Sequence, residues 1–273
     1  MTAEPADAST DQELSYVYAI VPEDTALKHI ADELEGIDDR AVRWVSEGAV
    51  AALVSSVPAD AFGEQGLKKQ MEDLSRLESI ARAHHTVVGS AFAVGTVLPM
   101  RLATVYLDDA RVRALLRQRR SEFEGLLDRL HQHVELGVKV YVEPPRTESA
   151  DAAPRTATAG TGRAYLQQRR AQRRSGQDLH RRAAAVAEEA VHEAAGLAAA
   201  RVVHRPQQGD LASAPGTNIT NEAYLVPASH AARFREVLDA LVRDSPGVRI
   251  EVTGPWAPYS FAGLLEHGGD ASR

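Results

Sequence analysis

The feature that most constrains the fold is a repeated order of segments: strand, helix, strand, strand, helix, strand. From residue 136 onward the segments are the strand LGVKVYVE, a helix at 162–198, the extended run ARVVHR, a strand at 218–227, an amphipathic helix after Ser229 and the strand GVRIEVTG. Residues 15–106 predict the same order with a weaker first helix. This is the order of the ferredoxin-like split β-α-β arrangement. The sequence therefore predicts an α+β protein with two tandem ferredoxin-like (βαββαβ-type) domains, the first modified and the second with a long helix.

Local signals predict the elements of the first domain. The run SYVYAIVP at 15–22 is rich in β-branched and aromatic residues, which predicts a strand. Two strand-like runs at 41–46 and 49–56 flank Glu47-Gly48 and predict a hairpin. Helices are expected from Asp60 and from Asp108 to about residue 134, because apolar residues recur there at helical spacing. The first of these helices carries Leu67, Met71, Leu74, Leu77 and Ala81.

The mostly apolar stretch 86–106 is expected to be extended. Pro99 and several glycines exclude one continuous helix over this stretch.

The domain limits follow from changes in composition. Residues 1–14 are polar and acidic and are expected to form a disordered tail. Residues 15–135 form the predicted N-terminal domain and 136–265 the C-terminal domain, with a linker rich in Pro, Ala, Ser and Thr at 144–160. Residues 266–273 are expected to be a loose tail.

The composition and the absence of known motifs exclude several kinds of chemical site. The chain has 273 residues, a net charge of −7 and no cysteine, which removes disulfides, thiol nucleophiles and cysteine-based metal sites. No signal peptide and no apolar run of about 20 residues is found, so we expect a soluble, cytoplasmic protein without a membrane span. No phosphate-binding loop, hydrolase or metalloprotease motif occurs, so no enzyme and no cofactor is predicted. The pairs His84-His85 and His131-x-His133 are interpreted as surface histidines of helices rather than metal ligands.

An arginine-rich helix leaves two interpretations open. Arg169 and Arg173, and likewise Arg170 and Arg174, are four residues apart and build a basic ridge. One interpretation is a contact with phosphate or nucleic acid. The favoured one is a solvated face or a contact with an acidic partner, because no aromatic residues are interleaved for base stacking and the net charge is negative.

Two further segments are unusual. GPWAPYSFAGL at 254–264 places two prolines and three aromatic residues after the last strand. Its rings either pack as a C-terminal clip, which is favoured, or form an exposed patch for a hydrophobic partner. Arg101 lies in the apolar run VLPMRLATVY and either anchors a ligand or, as favoured, ties two layers of the fold together.

These motifs resemble those of the gas vesicle GvpL/GvpF family. VLPMRLATVY resembles its segment vLP-x-R-[FL]-[GA]-T, LGVKVYV its G-V-K-V-Y strand, and GTGRAYLQQRR its G-x-x-Y-L-x-x-[KR]-[KR] helix. NEAYLVP and GPWAPYSF resemble n-x-a-[YF]-L-V and t-G-P-W-P-P-Y-S-F, with Ala257 where the family usually has proline. The matches run in order from about residue 16 to 264.

The resemblance implies a non-enzymatic accessory protein for the assembly of gas vesicles, the gas-filled protein shells that give prokaryotic cells buoyancy. It implies that the partners are the small hydrophobic shell protein of the GvpA type and other accessory proteins, with no nucleic acid expected, and that the protein is found in the cytoplasm and at the gas vesicle. It also implies a modified ferredoxin-like N-terminal domain and a C-terminal α+β domain. The candidate partner-binding or family-motif residues are Pro99, Arg101, Tyr165, Gly254, Pro255, Trp256, Pro258, Tyr259 and Phe261. The main alternative is a ferredoxin-like nucleic-acid-binding module that uses the arginine-rich helix, and a small-molecule enzyme comes third.

Overall fold

The computed structural model describes residues 12–143, 161–206 and 216–262. Within these ranges, the side chains of 161–166, 168 and 172 are not described. The predicted linker and C-terminal tail, and residues 1–11 of the predicted N-terminal tail, therefore lie outside the described residues.

Contacts divide the chain into two units. The first comprises Met1–His133 and Trp256–Arg273, and the second comprises Val134–Pro255. The described residues 256–262 thus group with the first unit, whereas the sequence analysis assigned them to the C-terminal domain. The predicted domain limits stay predictions.

The first unit contains five strands, seven α-helices and one 3-10 helix (Ile37–Asp39) among its described residues. The strands are β1 (Glu13–Pro22), β2 (Arg43–Glu47), β3 (Val50–Pro58), β4 (Leu98–Pro99) and β5 (Val105–Tyr106). The helices are α1 (Thr25–Glu33), α2 (Ala59–Phe62), α3 (Glu64–Glu72), α4 (Leu74–Val94), α5 (Asp109–Gln118), α6 (Arg120–Leu130) and α9 (Tyr259–Ala262).

The sheet of this unit is centred on β1. Its order is β2-β3-β1-β4, and β5 also pairs with β1. β1 pairs antiparallel with β3 and β4, and residues 14–21 of β1 are all buried. β2 and β3 form the predicted hairpin, in which Gly48 has a φ of 68° that favours glycine at the turn.

The prediction that 86–106 is mostly extended is wrong for its first part. α4 continues to Val94 and ends at Gly95, because Val87, Val88 and Ala91 fall on its buried face. Gly89 lies inside this helix, where a glycine costs about 1 kcal/mol relative to alanine. Burying a valine contributes about 1.5 kcal/mol or more, so packing outweighs the glycine.

Two predicted helices are each divided. The helix from Asp60 becomes α2, α3 and α4, with Asp73 capping α4 by accepting hydrogen bonds from Ser75 N and Arg76 N. Leu74, expected on the apolar side, is 79% exposed as a result of lying at this junction. The helix from Asp108 becomes α5 and α6, because Arg119 leaves the helical conformation with φ −111° and ψ 21°.

The second unit contains strands β6 (His133–Val142), β7 (Ala200–His204), β8 (Thr217–Pro227) and β9 (Val248–Trp256), and helices α7 (Thr161–Leu197) and α8 (Ala231–Leu241). Its sheet order is β7-β8-β6-β9, and β7 pairs antiparallel with β8. Apolar side chains of both helices join the core of this sheet. They are Leu179, Ala183, Val186, Ala187, Ala190 and Ala194 from α7, and Phe234 and Leu238 from α8.

Candidate functional site

The last strand ends in a fixed backbone geometry. The Gly254–Pro255 peptide bond is cis, and Gly254 has a φ of 103°, which favours glycine. The guanidinium of Arg235 donates to the carbonyl oxygens of Val252 at 2.9 Å and of Gly254 at 2.7 Å. These two hydrogen bonds hold the end of β9 where the motif GPWAPYSF begins.

The rest of this motif folds into a short helix. Tyr259 N donates to the Ala257 carbonyl at 2.8 Å, and Phe261 N donates to the Pro258 carbonyl at 3.1 Å. Ala257 and Phe261 are only 3% and 2% exposed, and Pro258 is also buried. Trp256, by contrast, is 43% exposed. One part of the motif therefore packs in the core and one large ring reaches solvent.

Rings of this motif lie against two adjacent histidines of α4. Trp256 meets His85 edge-on with ring centroids 5.6 Å apart, and Tyr259 stacks on His85 at 6.2 Å. Tyr259 also lies 6.2 Å from His84, which in turn contacts the rings of Tyr16 and Tyr18 on β1. We call this group the aromatic cluster; its members are Tyr16, Tyr18, His84, His85, Trp256 and Tyr259.

The buried part of the aromatic cluster is uncharged near neutral pH. Burial lowers the pKa of His84 to about 4, and the neighbouring His85 adds to this effect, while a backbone hydrogen bond at Met100 opposes it. Burial also raises the pKa of the Tyr16 hydroxyl. His84 is therefore a neutral imidazole, and its Nδ1 lies 3.0 Å from the Tyr16 hydroxyl oxygen.

The same tyrosines hold the segment VLPMRLATVY. Ala103 N donates to the Tyr16 hydroxyl at 3.0 Å, and Met100 N donates to the Tyr18 carbonyl at 2.9 Å. Pro99 is buried in β4 opposite Ala19 of β1. Since α9 contacts β4, the two motifs that were most specific in the sequence meet beside the aromatic cluster.

Arg101 lies on an exposed turn within this segment. Its carbonyl accepts hydrogen bonds from Thr104 N at 3.2 Å and from Thr104 Oγ1 at 2.7 Å. The side chain of Arg101 is exposed.

The structure thus brings together Pro99, Trp256, Pro258, Tyr259 and Phe261 in the first unit, whereas Gly254 and Pro255 lie at the end of β9. Tyr165 lies in α7, and its side chain is outside the described part of the structure. Sequence reasoning missed Tyr16, and its interpretation of His84 as a surface histidine is wrong, because His84 is buried on the inner face of α4, whereas His85 is exposed as expected. The apolar spacing of Ile80, His84, Val87 and Val88 on α4 is the signal that places His84 in the core.

The histidines do not form a metal site in the described part of the chain. Within residues 12–143, 161–206 and 216–262, no three His, Asp or Glu side chains converge on a point that fits a metal ion. His131 follows the end of α6, and its Nδ1 lies 3.0 Å from Thr96 Oγ1. No helix among these residues is long and apolar enough to cross a membrane.

Comparison with known families agrees with the two motifs that meet at the aromatic cluster. A family model described as "Gas vesicle synthesis protein GvpL/GvpF" matches residues 14–263. This chain belongs to the GvpL/GvpF family. The resemblance seen in the sequence motifs is thereby confirmed over nearly the whole chain.

Two relatives within the GvpL/GvpF family come from one Streptomyces strain, CB03234. Gas vesicle protein L is 42% identical over 260 residues, covering 94% of this chain and 96% of the relative. Gas vesicle protein F is 30% identical over 262 residues, covering 90% of this chain and 98% of the relative.

Solved GvpF structures share the fold. The crystal structure of GvpF from Anabaena sp. PCC7120 matches with a TM-score of 0.63 and 19% identity, over 92% of this chain and 96% of that one. The crystal structure of GvpF from Microcystis aeruginosa matches with a TM-score of 0.59 and 20% identity, over 91% and 98%. The predicted α+β class is confirmed.

Proposed function

We propose that this GvpL/GvpF family protein is a non-enzymatic accessory protein of gas vesicle assembly, which binds the small hydrophobic shell protein through the surface around Trp256. The observation that carries this proposal is the half-exposed indole of Trp256 lying against His85. Other accessory proteins of the vesicle are proposed as further partners.

The chemistry of this surface suits an apolar partner. Tryptophan is among the residues that contribute most to binding at interfaces, because it buries a large ring at a small cost in conformational entropy. The Trp256 ring is the exposed member of the aromatic cluster that packs against His85, and the buried His84 of this cluster is neutral. An apolar shell subunit that docks here would therefore not have to cover a charge on this buried side chain, and covering a charge is costly.

A carrier role explains why such a surface belongs on an acidic protein. A shell subunit with a large apolar surface would aggregate when free in water. A partner with a net charge of −7 that covers this surface would keep the complex dispersed until the subunit is added to the shell.

Two finer assignments belong to the same proposal. In each unit the first strand lies between the third and the fourth strand, as in a βαββαβ sheet. We therefore propose that both units are ferredoxin-like folds and that the first is modified. We also propose the L-type role, because identity to gas vesicle protein L of one strain, 42%, exceeds the 30% identity to gas vesicle protein F of that strain.

A pull-down with co-expressed shell protein tests the proposed site. Trp256→Ala is expected to lose most of the bound shell protein, because the exposed ring is removed. Leu74→Ala is the matched control, since Leu74 is also exposed and apolar and lies on the same helix as His85, about 16 Å along its axis. Retention of shell protein by wild type at high salt is expected for an apolar contact.

The pull-down also has an outcome that excludes this site. If a folded Trp256→Ala protein retains shell protein as well as wild type does, the surface around Trp256 is not the binding site.

A further inference from the structure

α7 consists of two parts with different surroundings. From Leu179 to Leu197 it buries an apolar stripe in the core of the second unit. Between residues 167 and 178, every described side chain is exposed or half-buried. At 1.5 Å per residue, the part of α7 before Leu179 is about 27 Å long. Its geometry is that of a helical extension whose described side chains face solvent.

This extension carries a one-sided positive charge. We call residues 167–182 the arginine arm; it contains six arginines and a single carboxylate, Asp178. On a helix that turns 100° per residue, five of the six lie within a sector of about 140°. These five are Arg169, Arg170, Arg173, Arg174 and Arg181. A solvent-exposed face of a helix usually carries both acidic and basic residues, whereas the charged residues in this sector are all arginines.

The charge of the arm disfavours its own helix. Like charges four residues apart, as at Arg169 and Arg173 or Arg170 and Arg174, each cost about 0.2–0.5 kcal/mol. Asp178, the single carboxylate of the arm, is paired with Arg181 at 2.7 Å. A surface that supplies carboxylates would reverse this cost, because guanidinium groups bind carboxylates through paired hydrogen bonds.

The chain itself carries a complementary surface. Residues 1–80 contain 17 acidic and 6 basic residues, a net charge of −11. Five of these acids fall within eight residues after the middle of α1, and all five are exposed: Asp32, Glu33, Glu35, Asp38 and Asp39. Asp38 is paired with Arg76. We call residues 32–39 the acidic stretch.

We propose that the arginine arm of one copy of this protein binds the acidic stretch of a second copy. The side chains of Arg173 and Arg174 are exposed to solvent in the single chain. The contact joins two different surfaces, so two copies can make it reciprocally in a two-fold dimer, and further copies can extend it into chains or rings.

Nucleic acid is the less favoured occupant of the arm. Residues 167–182 contain no Phe, Tyr or Trp side chain on which a base could stack. The net charge of −11 over residues 1–80 would also repel a polyanion, whereas it attracts the arm of another copy.

Analytical ultracentrifugation of the full chain tests the proposal. Wild type is expected to have a weight-average mass above the 29.5 kDa of a monomer in about 20 mM NaCl and to return to it in about 500 mM NaCl. Arg173→Glu with Arg174→Glu should be monomeric at both salt concentrations, and so should Asp32→Lys with Glu35→Lys. Mixing these two variants should restore masses above the monomer, because each supplies the charge that the other lacks.

Two controls keep the result specific to the arm. Arg129→Glu with Arg205→Glu makes the same change of net charge at exposed arginines elsewhere and should associate as wild type does. Circular dichroism checks that each variant is folded. The pull-down of Trp256→Ala with shell protein is separate, so failure of either proposal leaves the other standing.

Two outcomes would overturn the proposal. One is a wild-type protein that stays monomeric in low salt at all concentrations. The other is a protein that binds single-stranded DNA in low salt through Arg173 and Arg174 without associating with itself, which would assign the arm to nucleic acid.

Discussion

Both units bury a tyrosine hydroxyl on an interior strand, but they satisfy it with different partners. In the first unit, the Tyr16 hydroxyl lies 3.0 Å from the neutral His84 and accepts from the backbone of Ala103. In the second, the Tyr224 hydroxyl donates to Glu222, which also accepts two hydrogen bonds from Arg201 at 2.8 Å and 2.6 Å. One network is neutral near pH 7 and the other contains an ion pair.

The charged network and the neutral network have different structural roles. The ion pair of the second unit joins neighbouring strands, since Arg201 lies on β7 and Glu222 on β8. The neutral network of the first unit joins a strand, a helix and the segment around Met100, and it lies beside the exposed ring of Trp256. A neutral network keeps that surface apolar, which is what the proposed contact with a hydrophobic shell subunit requires.

The largest effect is expected in the second unit. Arg201→Met leaves the Glu222 side chain, which is 5% exposed, without its cation. Because the Arg201 side chain is 37% exposed, water replaces part of its interaction. The free energy of unfolding measured in urea should fall by about 2–3 kcal/mol, as expected when a buried charged acceptor loses its donor. Arg201→Met combined with Glu222→Gln should recover part of the loss. Equal losses in the single and double variants would show that the charge left at Glu222 is not the cause.

The first unit should instead respond to acid. The pKa of His84 in the folded protein, about 4, lies below the ordinary value of 6.5. The unfolded chain therefore binds the proton first as the pH falls, and stability that is complete above pH of about 6.5 declines toward pH of about 4. Between about pH 7 and about pH 5 the expected loss is about 2 kcal/mol.

His84→Gln tests this pH dependence, because glutamine can bond to Tyr16 without titrating. Its unfolding free energy should vary less between these two pH values than that of wild type. An unchanged slope in His84→Gln would assign the acid sensitivity to other groups.

The two tyrosines of β1 give a smaller, paired comparison. Tyr16→Phe removes the hydroxyl that bonds to His84 and to Ala103 N. Tyr18→Phe removes the hydroxyl that bonds to Ser55 and to Ile37 N. Each is expected to cost about 1–2 kcal/mol in unfolding free energy, because buried donors or acceptors lose their partner. Only Tyr16→Phe should also change the pH dependence. The same change of slope in both variants would show that the Tyr16–His84 contact is not special.

The smallest effect on stability is expected at Trp256. Its ring is 43% exposed, and changes at partly exposed surface sites usually stay near 0.5 kcal/mol, so about that loss is expected for Trp256→Ala in thermal unfolding. Loss of shell-protein binding with so small a change in stability would separate function from folding at this position. A destabilisation of several kcal/mol would show instead that Trp256 serves mainly as part of the core.

The sequence predicts elements better than it predicts where they meet. The hairpin around Gly48 and the order of strands and helices follow from local patterns of polarity and turn residues. The length of α4 does not, because burial of Val87 and Val88 overrides the glycine beside them. The meeting of Tyr16, His84 and Tyr259 joins positions far apart in the chain, so no local pattern contains it. The two interpretations of the motif GPWAPYSF both describe part of it, since Phe261 is buried and Trp256 reaches solvent.

Site-specific photo-crosslinking tests most directly whether the surface around Trp256 meets the shell protein. A photoreactive phenylalanine analogue would replace Trp256 in one protein and the more exposed Leu74 in another, each co-expressed with the shell protein and irradiated. We expect a crosslinked product with the shell protein from position 256 and little from position 74. Equal crosslinking from both positions, or a product only from position 74, would contradict the proposed binding surface.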